Sequence, residues 1–92
     1  MPQKTEIKEF LIAALYRFTP VSDPAAMQEP IKDICAKYGI KGSLLLATEG
    51  INGTIAGYSN AVEATLSELR AFPEFRELEH KESWAKELPF YR

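Results

Sequence analysis

Residues 41–57 read KGSLLLATEGINGTIAG. Two aliphatic runs flank a short segment holding a glutamate, an asparagine and two glycines. The first run, KGSLLLAT (residues 41–48), has the composition of a strand, and residues 53–58 read as a second strand. Between them, or at their joining ends, lie Glu49, Gly50, Ile51 and Asn52. The pair is a hairpin. Both Glu49-Gly50 and Asn52-Gly53 can supply the positive φ of a tight turn, so the residues leave the register open.

Upstream of the hairpin, Asp23 followed by Pro24 is a helix start, with a capping carboxylate before a proline at the first helical position. Met27, Ile31, Ile34, Cys35 and Tyr38 then form one stripe at helical spacing. Pro30 removes one backbone donor inside that helix, and Gly39 is placed to end it. Before the helix, FLIAALYRF (residues 10–18) is too short for a typical helix and rich in strand formers. Both of its alternating sets, Phe10/Ile12/Ala14/Tyr16/Phe18 and Leu11/Ala13/Leu15, are apolar, which predicts a central strand covered at least in part on both faces.

Downstream, Asn60 with Glu63 three residues later resembles a capping box. It opens an amphipathic helix with an inward face of Val62, Thr65, Leu66 and Leu69, ending before Pro73. Residues 76–84 read as a last strand, charged enough for a sheet edge. Strand, helix, hairpin, helix and strand give an α+β domain of the ferredoxin-like βαββαβ class. Its four-stranded antiparallel sheet runs in the order 4-1-3-2, with two helices on one face. The expected division is a flexible N-terminus at residues 1–9, the domain at residues 10–85 and a tail at residues 86–92.

Ninety-two residues make one domain with room for one core. With 46% hydrophobic and 26% charged residues, the chain lies away from the composition of disordered segments and should fold. The net charge of -2 offers no general attraction to phosphate backbones or anionic lipid, so any RNA contact must be local. Cys35 is the single cysteine, which excludes an internal disulfide and a multi-cysteine zinc site. No run approaches the ~20 apolar residues that span a bilayer, and the first nine residues lack the apolar core of a secretory signal. The expected location is cytoplasmic.

No catalytic constellation is assembled by these residues. His80, the single histidine, has no serine or cysteine at a recognisable spacing and reads as a surface or edge-strand residue. Cys35 sits on the helical stripe and reads as a small core hydrophobe. The EGING segment (residues 49–53) has two readings: a ligand-gripping loop, or a hairpin turn that needs glycine and asparagine. Phe10, Tyr16 and Phe18 share one side of the first strand, where they either stack bases, as in sheet-based RNA-binding domains, or pack under helices or a second domain. No metal ligand set is present and no cofactor is assigned to these residues.

ALYRF (residues 14–18), KGSLLLATEGINGTIAG, the late KES (residues 81–83) and PFYR (residues 89–92) together resemble the N-terminal domain of the rhodanese-related tRNA uridine(34) hydroxylase family. The resemblance runs from about Glu9 to Arg92, with LLATEGINGTIAG its most specific part. It implies a bacterial cytoplasmic protein whose ferredoxin-like, acylphosphatase-like domain precedes a rhodanese domain. The whole would act in oxygen-dependent formation of 5-hydroxyuridine at tRNA position 34. The implied partners are tRNA and that C-terminal rhodanese domain, which would carry the essential cysteine. The part in hand would be an accessory, monomeric unit rather than an enzyme, positioning tRNA or packing on its neighbour. The expected RNA or interdomain contacts are Glu49, Gly50 and Asn52 in the hairpin turn as the interaction site, with Arg17, Lys41 and Arg92 as phosphate or interdomain contacts. A second resemblance, to acylphosphatases, is topological. The loop Thr19-Pro20-Val21-Ser22-Asp23 lacks their arginine, and Leu44 to Leu46 stand where their asparagine falls, so acyl-phosphate hydrolysis is the weakest reading.

Overall fold

The computed structural model describes residues 10–86. Four strands, β1 (Phe10–Phe18), β2 (Lys41–Ala47), β3 (Gly50–Gly57) and β4 (Glu79–Ala85), form one antiparallel sheet in the order β2-β3-β1-β4. Helices α1 (Pro24–Lys37) and α2 (Ser59–Arg70) cross over between strands. The ferredoxin-like order read from the sequence is the order found.

One rule of strand geometry organises the molecule: successive side chains point to opposite faces. On β1 the odd set Leu11, Ala13 and Leu15 is buried beneath the helices with Ile51 and Ile55 of β3. Val62, Leu66 and Leu69 of α2 close that core, as their spacing predicts, and Thr65 joins them. Burying a hydroxyl would cost energy unless it were bonded, and Thr65 Oγ1 donates to the Ala61 carbonyl at 2.9 Å. Phe75 and Leu78, in and after the short 3-10 turn Pro73–Phe75, plug the end of the core. Full burial of a side chain the size of phenylalanine contributes about 1.5–3 kcal/mol, so this loop is a structural element.

The ends of α1 follow the sequence. Asp23 Oδ1 accepts from the Ala26 amide at 3.2 Å, with Pro24 at the first helical position. At the other end Gly39 takes φ +67, while its amide donates to the Ala36 carbonyl and that of Ile40 to the Cys35 carbonyl. These two bonds form a Schellman closure.

Four expectations differ. The hairpin turn is Thr48-Glu49, so β3 begins at Gly50 and absorbs most of EGING. α2 begins at Ser59 without a side-chain cap, which leaves Asn60 inside its first turn. β4 starts at Glu79 because Phe75 and Leu78 turn into the core first. The even face of β1 is open: both helices lie on the other side of the sheet, leaving Tyr16 and Phe18 exposed.

Candidate functional site

The strand register decides which residues share the open face, because directly opposed residues point the same way. Tyr16 pairs with Asn52, Ala14 with Thr54, and Phe18 with Gly50. Asn52 in turn pairs with Leu45, Thr54 with Ser43, and Ala56 with Lys41. On the other flank Tyr16 faces Glu79 and Ala14 faces Lys81. The helix-free side therefore has an aromatic and aliphatic strip, Tyr16, Phe18 and Leu45, beside the polar groups of Ser43, Asn52 and Thr54. Phe18 is 81% exposed, Leu45 68% and Tyr16 41%, values that set this strip apart from the closed core behind it.

Local bonding fixes two of the aromatics. The Tyr16 hydroxyl donates to Glu79 Oε1 at 2.8 Å. That bond, with the Glu79 charge and a smaller effect of burial, holds the Tyr16 phenol above its ordinary range and keeps it a neutral donor. At the far end of β1, Phe10 packs on Tyr58 with ring centroids 5.1 Å apart. Phe18 stays free to offer its whole face.

The six residues expected at a contact site do not come together. Lys41 and Asn52 share the open face, four positions apart across the β2–β3 ladder. Glu49 is in the turn, exposed. Arg17 lies in register on the opposite side, with Nη2 3.7 Å from Glu77 Oε1 and a buried Nε that has no partner among the described residues. Arg92 lies outside the described residues. Gly50 is buried at φ +141, where an added Cβ would stand 1.9 Å from the Arg17 carbonyl oxygen. Gly53, at φ +153, would meet the Ser43 carbonyl oxygen at 2.2 Å. The close approach that these glycines permit is therefore made by the neighbouring strands of the same sheet.

The residues missing from the expected set are Tyr16, Phe18, Leu45 and Lys81. Their signal was legible in part: on β1 every aromatic falls at an even position and none at an odd one. What the sequence lacked was the side on which the helices pack.

The remaining reactive groups are structural. Cys35 is half buried, and desolvation pushes its thiol above the usual range, away from the reactive thiolate. His80 Nδ1 lies 2.9 Å from Arg70 Nη2 and its Nε2 2.8 Å from Glu82 Oε2. A guanidinium only donates, so Nδ1 accepts and Nε2 carries the hydrogen given to Glu82. Arg70 also donates through Nε and Nη2 to the Leu78 carbonyl, and the cluster ties α2 to β4 without a nucleophile. Among the described residues no three His, Cys, Asp or Glu side chains group as metal ligands, and no helix is long and apolar enough to cross a membrane.

Comparison with known proteins agrees with the fold. The chain is 54% identical over 83 residues to a tRNA uridine(34) hydroxylase of Caulobacter vibrioides, covering 90% of the chain and 26% of the relative. It is 56% identical over 81 residues to one from Gluconobacter oxydans, covering 88% and 26%. A third, from Agrobacterium fabrum, is 51% identical over 92 residues, covering 100% of the chain and 29% of the relative. The chain thus spans a little over a quarter of the length of these curated relatives. Residues 10–92 match the model of the UPF0176 acylphosphatase like domain, and the chain belongs to that family.

Proposed function

We propose that this domain serves a tRNA uridine-34 hydroxylase in the cytoplasm as an accessory RNA-contacting module, with the open sheet face as its contact surface. One observation carries the reading: Phe18 and Tyr16 stand exposed, two residues apart on a central strand, on the side that no described helix covers. Two such rings are spaced about 6.6 Å along the strand, and unpaired bases of an RNA loop can be splayed onto them. Ser43, Asn52 and Thr54 supply donors and acceptors beside the rings. Charge supports the same surface. The open face carries two lysines, Lys41 and Lys81, against one glutamate, Glu79, whose carboxylate is held by Tyr16. It is locally positive on a chain of net charge -2.

The test is an NMR titration of the 92-residue chain with an anticodon stem-loop RNA bearing uridine 34. The expected result is amide shifts at Tyr16, Phe18, Leu45 and Asn52, with Phe18→Ala weakening binding about tenfold or more, since stacking contributes ~1–3 kcal/mol per base. Shifts confined to the helices would remove the face from this role.

A second reading rests on Leu45, an exposed aliphatic side chain that offers a base little and a protein surface much. On that reading the open face packs against a rhodanese domain. The RNA would then leave the spectrum unchanged, and slowed amide exchange on β1 and β2 would appear only when the rest of the hydroxylase is joined to this domain.

A further inference from the structure

The sheet has two edges, and they are built differently. β4 bears charges at Glu79, Lys81 and Glu82, with His80 between them, and such side chains discourage another strand from pairing. β2 is KGSLLLA, and Lys41 at its start is the one charged residue in it. No described strand lies beyond it. An edge with so little protection is an open template for main-chain hydrogen bonds.

The register shows which backbone groups that edge offers. β2 and β3 are joined by the two-residue turn Thr48-Glu49, so the closing pair Ala47–Gly50 exchanges both of its bonds. By alternation Leu45–Asn52, Ser43–Thr54 and Lys41–Ala56 do the same. The glycines agree: an added Cβ would stand 2.9 Å from the Ile55 Cα at Gly42 and 2.8 Å from the Leu44 Cα at Gly53, the close approach of pairs that share no bond. Gly42, Leu44 and Leu46 therefore turn their amides and carbonyls away from β3. The side chains of Leu44 and Leu46 lie on the helix side, where they line a cleft of about 510 Å³ beside α1. Those of Lys41, Ser43 and Leu45 lie on the open face.

We infer that β2 pairs with β2 of a second copy of this chain, antiparallel about a two-fold axis through Leu44. That register sets Leu44 opposite its own equivalent and Gly42 opposite Leu46 in both directions, so the outward groups of each strand meet in about six main-chain bonds. It also sets large side chains against small ones. Leu46 faces Gly42 of the other copy, Leu45 faces Ser43, and Lys41 faces Ala47. Leu45, 68% exposed in one copy, gains the other Leu45 as a diagonal neighbour. Charge agrees with the same register. Lys41 lies diagonally across from position 49 of the other copy, where Glu49 stands exposed in the turn. Within one copy the two sit at opposite ends of β2, on the order of 20 Å apart, and do not reach each other. Lys32, which lines the cleft on α1, approaches its equivalent across the seam, but its ammonium is mostly in solvent 3.8 Å from Glu29 Oε2, so salt screens that repulsion. The joined sheet carries all four helices on one face. It leaves Tyr16 and Phe18 of both copies uncovered on the other, so the pairing does not depend on the RNA reading. It departs from the single unit expected from the resemblance.

The test is sedimentation velocity on the 92-residue chain from about 10 μM to 1 mM, with amide exchange measured at both ends of that range. The expected result is a monomer that becomes a dimer as concentration rises, with exchange slowing at the Gly42, Leu44 and Leu46 amides. Lys41→Glu should weaken the dimer about fivefold or more, because two surface pairs turn repulsive at once, and Glu49→Lys should do the same. Combining the two substitutions exchanges the charges and should restore the dimer to within about twofold of the native chain. Leu44→Lys, which sets two ammonium groups on the axis, should leave a monomer at every concentration. Lys41 and Glu49 are exposed, and far-ultraviolet circular dichroism verifies that all the variants fold. Four results would each overturn the pairing: a monomer at 1 mM, a dimer without slowed exchange at those three amides, concentration-dependent shifts centred on Tyr16 and Phe18, or a charge-exchanged variant no tighter than Lys41→Glu alone.

Discussion

Gly50 shows how a residue type can be read correctly and its purpose misplaced. Glycine at the end of an apolar run signals a turn, and the turn is one residue earlier. Gly50 sits in β3, buried between β1 and β2, with a φ that side chains disfavour and an Arg17 carbonyl where a Cβ would go. Neither restriction can be relieved alone, because the close atom is backbone of a central strand. Gly50→Ala is therefore expected to cost at least about 2–3 kcal/mol, a strained backbone and a forced strand separation together. Urea unfolding followed by circular dichroism measures it, and a loss under 0.5 kcal/mol would show that the sheet tolerates a side chain there. Asn52, two residues on, is exposed and free of such restriction, so Asn52→Ala should leave stability within ~0.5 kcal/mol and act, if anywhere, on RNA binding.

Between elements, the tie that sequence patterning hid is the clasp of α1 on α2. Tyr38 falls on the apolar stripe of α1, yet its hydroxyl donates to Glu68 of α2, and Lys37 Nζ lies 2.9 Å from the same carboxylate. Lys37 also stands 5.0 Å from the centroid of the Tyr38 ring. Lys37 first, and Tyr38 second, hold the Glu68 carboxyl below its ordinary range. A depressed folded-state pKa stabilises the fold above the unfolded pKa, and the gain disappears as pH falls through the folded value. Thermal melts of the native chain should therefore fall in temperature on the acid side of the usual glutamate range. Glu68→Gln should flatten that acid limb and lower the melting temperature near neutrality; an unchanged acid limb would show that the clasp contributes nothing in solution. The helices themselves were legible because their cues are local: the inward face of α2 falls on Val62, Thr65, Leu66 and Leu69, and α1 starts at its Asp-Pro and ends at its glycine. The hairpin register and the start of β4 were not legible. Each depends on distant packing, of Gly50 against β1 and of Phe75 and Leu78 into the core, and no neighbouring residue encodes it. The open face was half legible for the same reason: alternation on β1 separates the aromatics from the aliphatics, but which set meets the helices is settled by all four strands together.

For the whole molecule, net charge and charge placement make different predictions about RNA. A chain of net charge -2 predicts little attraction, whereas the open face carries Lys41 and Lys81 on its two edge strands, on the same side of the sheet as the exposed rings, and leaves much of the acidic excess on the helices and loops. Two phosphate contacts on single-stranded RNA release few counterions, and the logarithm of affinity should fall against the logarithm of salt with a slope of about −1.4. Most of the binding energy would then come from stacking, which salt barely touches. These two contributions separate by mutation. Replacing Lys41 and Lys81 together by alanine should bring the slope near zero while the remaining affinity still depends on Phe18; Phe18→Ala should weaken binding at every salt concentration with the slope kept. Fluorescence anisotropy of a labelled anticodon stem-loop from about 50 to 300 mM salt reads both quantities. A slope steeper than about −3 would require phosphates to be held by cations away from this face, and the sheet would lose its place as the contact surface.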